Sequence, residues 1–253
     1  MFKLLSAANP KIIKGEKMGY LSFILHLAPA TLSGYNVCAK ASNGCIAACL
    51  NLSGHGGMFK AGENTNMVQR ARIRKTKMFF ENRTEFMAML VADIEKAILF
   101  AQSRGYIPVF RLNGTSDIAW EKYSVIARDT EFKNIFAAFP GIIYYDYTAI
   151  IKRRVTDIPN YHLTFSAKEN NDSDIKWAIN NGMNVAMVFD ITKKDTLPET
   201  WDNMPVFNGD TNDLRFTDPA GVIVGLYTKG KNSLKQLARE SGFARRVIPI
   251  AAA

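Results

Sequence analysis

The chain has 253 residues, 47% of them hydrophobic and 22% charged, with a formal net charge of +9. That is enough apolar material for the core of one large domain, and the composition excludes a disordered or low-complexity protein. Apolar runs fall short of the roughly 18 residues that a membrane-crossing helix needs, and Lys3, Lys11, Lys14, Glu16 and Lys17 break up the N-terminal stretch, so no membrane partner and a cytoplasmic location are expected.

The first short apolar run, Leu21 to Leu27, reads as a strand. After it comes the most informative segment, Cys38-Ala-Lys-Ala-Ser-Asn-Gly-Cys45-Ile-Ala-Ala-Cys49, which holds all three cysteines of the chain. Three thiols cannot all pair as disulfides, and their clustering points to a soft metal whose charge neutralises converging thiolates. A zinc site would need a fourth ligand, for which His55 is the nearest candidate, at a spacing that fits common zinc patterns poorly. A 4Fe-4S cluster on three cysteines would leave one iron open to a small molecule. Packing of three small apolar side chains is the bland alternative. The cluster reading is preferred, with residues 38–57 as the metal-binding loop. Gly44, Gly54, Gly56 and Gly57 suit a chain that bends closely round it.

Next comes a basic run of Arg70, Arg72, Arg74, Lys75 and Lys77, echoed by Lys152, Arg153 and Arg154. Such runs attract polyanions, nucleic acid included. Helical geometry would spread the first run around the axis, which favours a solvated face. From Thr84 to Arg104, the stripe Phe86, Leu90, Ile94, Ala97, Ile98 and Ala101 predicts an amphipathic helix.

Further apolar runs follow at Ile107 to Leu112, Ile142 to Tyr147, His162 to Phe165, Asn184 to Phe189, Val206 to Phe207 and Val222 to Tyr227. Continuous apolar strands separated by helical patterns indicate a mostly parallel sheet covered on both faces. The expected fold is a single α/β domain over residues 1–253, a partial or irregular (β/α) TIM-like barrel, with a doubly wound sheet as the alternative. In either architecture the site lies beyond the carboxyl ends of the strands. The residues there are strongly polar: Arg111, Asn113 and Asp117 after one strand, Lys168 after another, and Asp210 and Lys229 after the last two. Cys38, Cys45 and Cys49 are the expected metal ligands, Arg111, Asn113 and Asp117 the holders of a polar ligand, and Lys168, Asp210 and Lys229 the sources of charge or proton transfer. For Thr115, Ser116 and Asp117 a helix cap is the plainer alternative. Trp120, Trp177 and Trp201 read as packing residues on helices, and His26 and His162 as core or strand-end histidines.

The run Phe23-Ile-Leu-His-Leu-Ala-Pro-Ala30 followed by Cys38-x6-Cys45-x3-Cys49 resembles the start of the phage gene product 88 family. Arg111-Leu-Asn-Gly-Thr-Ser-Asp117, Tyr144-Tyr-Asp-Tyr-Thr148 and Leu163-Thr-Phe-Ser166 resemble later strands of that family, and Gly209 to Pro219 with Gly225 to Gly230 is similar to the tail of a related branch. The resemblance implies a phage protein acting in the cytoplasm of an infected bacterium, and brings no reaction with it. More distantly, a cysteine triad after the first strand of a partial barrel resembles radical S-adenosylmethionine enzymes, which implies S-adenosylmethionine as a ligand of the open iron. The spacing here, x6 and x3 instead of x3 and x2, departs from theirs, and Asn113-Gly-Thr-Ser-Asp117 stands where they carry a Gly-Gly-Glu-Pro-like tip. Two non-catalytic roles compete with an enzyme: an iron-sulfur redox sensor, and a zinc-stabilised module that binds nucleic acid or a host protein through residues 70–77.

Overall fold

The computed structural model describes residues 3–7, 14–52, 54–59, 64–153 and 155–247, without the side chains of Leu50, Gly54 and His55. The apolar runs form the parallel strands β2 (Tyr20–Leu25), β3 (Ile107–Arg111), β6 (Ile143–Thr148), β7 (Tyr161–Ser166), β8 (Val185–Phe189), β10 (Met204–Asn208) and β11 (Ile223–Tyr227). Short antiparallel strands, β1 (Leu5–Ser6) beside β2 and β9 (Thr200–Trp201) beside β10, form the two edges. The order across the sheet is β1-β2-β3-β6-β7-β8-β11-β10-β9, and a separate hairpin pairs β4 (Val125–Ala127) with β5 (Thr130–Phe132).

The sheet is open, so a closed barrel is not formed. From β2 to β8 each parallel strand adds beside its predecessor, which puts successive right-handed crossovers on one face. That face carries α2 (Met67–Glu81), α3 (Arg83–Gln102), α4 (Ile135–Ala138) and α5 (Asp172–Asn180). Its core joins Phe86, Leu90 and Ile94 of α3 to Phe23, Phe110 and Tyr144 of the sheet, and Ile175 and Ala178 of α5 to Phe165 and Met187. The expected helix over Thr84 to Arg104 is thus α3, its apolar stripe buried.

The step from β10 to β11 reverses direction, because β11 inserts between β8 and β10. A right-handed connection that steps backwards must cross the opposite face. The segment from Gly209 to Val222 does so as a strap, with a 3-10 turn at Arg215–Thr217. Leu214 packs with Val109 and Tyr145, and the Phe216 ring lies 5.3 Å from Tyr20 and 5.6 Å from Tyr145. Side chains of one connection therefore fill the face that a closed barrel would line with its own strands. Trp201 belongs to strand β9, not to a helix, whereas Trp120 is fully buried in a 3-10 turn and Trp177 lies on α5. Among the described residues no helix is long and apolar enough to cross a membrane.

Candidate metal centre at the strand ends

Beyond β2 the chain runs through turns into the short helix α1 (Asn43–Ala47), which carries Cys45, while Cys38 precedes it and Cys49 follows it. Ser42 starts α1 as its N-cap, its hydroxyl accepting from the Cys45 N–H at 3.3 Å. The loop is tied to two other parts of the fold, the tips that follow β3 and β7. Cys38 Sγ donates to the Thr115 carbonyl at 3.8 Å, the Thr115 hydroxyl donates to the Leu27 carbonyl at 2.5 Å, and the Gly44 N–H donates to Glu169 Oε1 at 2.6 Å. From the same tip as Glu169, the Lys168 ammonium donates to the Lys40 carbonyl at 2.5 Å.

These ties bring the three half-buried thiols within electrostatic reach of one another. Burial pushes the Cys38 thiol up to about 11, with Cys49 and Asp117 adding to the effect. Burial, Cys49, Cys38 and Glu169 push Cys45 up to about 12, opposed by Lys168. Burial raises Cys49 too, while the Asn51 N–H on its sulfur at 3.5 Å and the Arg72 guanidinium hold it down. Converging thiols that resist ionisation can give up their protons to a bound cation, because only a cation offsets their mutual repulsion.

Among the described residues no group of three or more His, Cys, Asp or Glu side chains is placed to hold a metal ion. A single ion demands every sulfur about 2.3 Å from one point. The His55 side chain, the expected alternative fourth ligand, lies outside the described residues.

The other expected site residues divide into three places. Arg111 lies on the strap side of the sheet, paired with Asp213 at 3.0 Å and stacked 4.6 Å over Tyr147. Asn113 and Asp117, at the tip after β3, turn inwards. The Asn113 amide oxygen accepts from Ser116 Oγ at 2.8 Å, the Ile118 N–H at 2.9 Å and the Trp120 indole at 3.2 Å. Asp117 accepts from the Ala149 N–H at 2.8 Å and from Arg153 at 3.1 Å, so it ties two strand tips together and caps no helix. Lys168 stands beside the cysteine loop. Asp210 and Lys229 form a 2.6 Å ion pair at the ends of β10 and β11, strands that lie across the sheet from β2.

The basic run also splits. Arg70, Arg74 and Lys77 are exposed along one side of α2, whereas Arg72 turns in to donate to Asn51 Oδ1 at 2.5 Å and Lys75 to the Leu4 carbonyl at 2.5 Å. Arg153 is buried in a network with Asp117 and Glu121, and Arg154 lies outside the described residues. Asp213 is the site neighbour that local pattern did not single out, while Arg72 stood in the basic run with no role assigned at the thiols. Helical spacing offered a weak signal for Arg72, which lies four residues before Thr76, a buried residue whose hydroxyl accepts from the Ala28 N–H beyond β2.

The profile of the family described as gene product 88 matches residues 3–247, nearly the whole chain. The chain belongs to the phage gene product 88 family. No curated protein and no solved structure matches it. Within the gene product 88 match fall the cysteine loop, the β3 tip and the strap.

Proposed function

We propose that this gene product 88 protein holds a 4Fe-4S cluster on Cys38, Cys45 and Cys49, leaves one iron for a small-molecule ligand, and acts as a redox or radical-type enzyme on a small or nucleotide-like substrate. One observation carries the reading. Three thiols from a single loop sit within one another's electrostatic reach at the carboxyl end of an open parallel sheet, where α/β proteins bind ligands. The donor set suits a cluster better than a lone ion, since each thiolate of a cluster takes a different iron and need not meet the others at a point. When bound, the cluster would supply electron transfer or Lewis-acid chemistry.

The chain's own residues do the rest. Glu169 holds the Gly44 backbone and so sets where Cys45 points, Arg72 lowers the cost of a thiolate at Cys49, and Lys168 does the same at Cys45. Arg111 offers a buried cation on the strap side for an anionic group of the ligand. S-adenosylmethionine is the ligand that the distant radical-enzyme likeness suggests.

Anaerobic purification with iron and acid-labile sulfide quantification tests the reading, followed by electron paramagnetic resonance of reduced protein with and without S-adenosylmethionine. Brown protein with about four irons per chain, lost on replacing any one cysteine by serine, is the expected result. Iron-free protein, or iron that survives all three replacements, overturns it; zinc in place of iron would make the loop a structural staple.

A further inference from the structure

Beside the cysteine loop lies a group of cations, of which Arg72 alone serves a thiol directly. Arg72 reaches in from α2 to Asn51, Lys75 lies one turn further on, and Arg111 projects from the end of β3. His26 stands among them, just past β2. The strand register pairs Ile24 with Arg111, and the Ser6 hydroxyl comes within 3.5 Å of His26 Nδ1. At Gly114 the β3 tip presses so close that a Cβ would lie 2.8 Å from the His26 ring, which leaves room for the imidazole only because that position has no side chain.

At His26 the field of these three cations outweighs the one carboxylate that opposes them. Asp213 faces the group from the strap and bonds Arg111 through one Nη, Asp146 also faces Arg111, and Asp93 faces Lys75. Among the described residues the buried Nε–H of Arg111 has no acceptor, although guanidinium groups that bind a planar anion commonly present two parallel N–H donors. Burial and the charges of Arg72, Arg111 and Lys75 together hold the imidazole of His26 down to about 3, with only Asp213 opposing them. A neutral imidazole is thus kept in a field that rewards an incoming negative charge.

We propose that Arg72, Lys75 and Arg111, grouped around His26, form a binding subsite for the oxyanion of a small molecule, a phosphate or a carboxylate, whose other end reaches the cysteine loop. The inference deepens the proposed function by naming the chemical class of the ligand. It stands on the cations and the unanswered Arg111 N–H, not on iron.

The probe is inorganic phosphate, read by nuclear magnetic resonance of histidine-labelled protein at constant ionic strength. The chain has three histidines, so His26 is assigned by its absence in His26→Gln. A saturable shift of the His26 ring signals with phosphate, weakened at least about fivefold in Arg72→Gln and in Lys75→Gln, is expected, since one charge-assisted contact contributes about that much. A parallel titration with acetate separates the two headgroups: the tighter of the two names the class. No saturable response to either anion, or equal responses in wild type and both variants, overturns the subsite. Iron-free protein with a responding His26 would sink the cluster alone, and iron-loaded protein with a silent His26 would sink the subsite alone.

Discussion

The backbone N–H of Gly44 donates to Glu169 Oε1 at 2.6 Å, so a residue that follows β7 holds the middle of a loop that follows β2. A Cβ at position 44 would come within 2.8 Å of both Glu169 carboxylate oxygens and 2.7 Å of Ser241 Oγ. The contact joins two connections that start three strands apart in the sheet, and it decides where Cys45 stands.

Replacing Glu169 by alanine removes that acceptor and frees the loop. The expected result is a stability loss of about 1–3 kcal/mol, the usual cost of stranding a buried donor, and, under the proposed cluster, loss of its iron. Gly44→Ala should give the same phenotype by pushing the carboxylate away, and Glu169→Gln, which keeps an acceptor, should retain most of the iron. Metal analysis with urea unfolding checks all three; full iron retention in Glu169→Ala would refute the latch.

Asn113 illustrates a tip residue turned to internal use. Its side-chain amide also donates to the Ile118 carbonyl at 3.0 Å and lies 3.4 Å from Asp146 Oδ2. Asn113→Ala strands the Trp120 indole and the Ile118 N–H, and should cost about 2–4 kcal/mol in urea unfolding. Asn113→Asp should be worse at neutral pH, because it sets a second carboxylate against buried Asp146. An aspartate variant as stable as wild type would count against this network.

Arg153 is the hub of the neighbouring network. Its side chain, only 3% exposed, meets Asp117 at 3.1 Å and Glu121 at 2.7 Å, and it also donates to the Tyr161 hydroxyl at 3.1 Å. Arg153→Met leaves two carboxylates facing each other with no cation, and should lose about 3–5 kcal/mol. Arg153→Lys should recover little of this, since an ammonium cannot reproduce the planar fork. Chemical denaturation of the two variants decides the point.

His26 predicts a pH dependence. Burial first, then Arg72, Arg111 and Lys75, hold its folded imidazole down to about 3, against an ordinary value of 6.5. The unfolded chain therefore binds more protons across that interval, and this group's share of stability is present above about pH 6.5 and lost as pH falls towards about 3. Asp146, pushed up to about 7 chiefly by burial, acts with the opposite sign, its folded form favouring the proton as pH drops. The comparison is thus wild type against His26→Gln. Unfolding midpoints followed from about pH 7.5 to about pH 4.5 should fall less steeply in the variant, and parallel curves would show that His26 titrates normally.

Much of the fold was legible in local pattern. All seven parallel strands fall on the continuous apolar runs, because a strand covered on both faces carries apolar residues without alternation. The α3 stripe was legible for a similar reason, its spacing following the helical repeat. The strand ends were harder to read. Asn113 and Asp117 looked like ligand holders because a polar residue after a strand can face either outwards to a ligand or inwards to a neighbouring tip, and only the partners Trp120, Ala149 and Arg153 settle which.

The sequence by itself determined that one parallel α/β sheet would form and that the only three thiols would sit together beyond its first long strand, since both follow from residue type and spacing along the chain. Tertiary structure decided that the sheet stays open, that β11 slips inside β10 and sends the strap across the other face, and that Arg72 and Glu169 join the cysteine loop. Those outcomes depend on which strand edges pair and which distant side chains meet, and neither is written in the periodicity of any one segment.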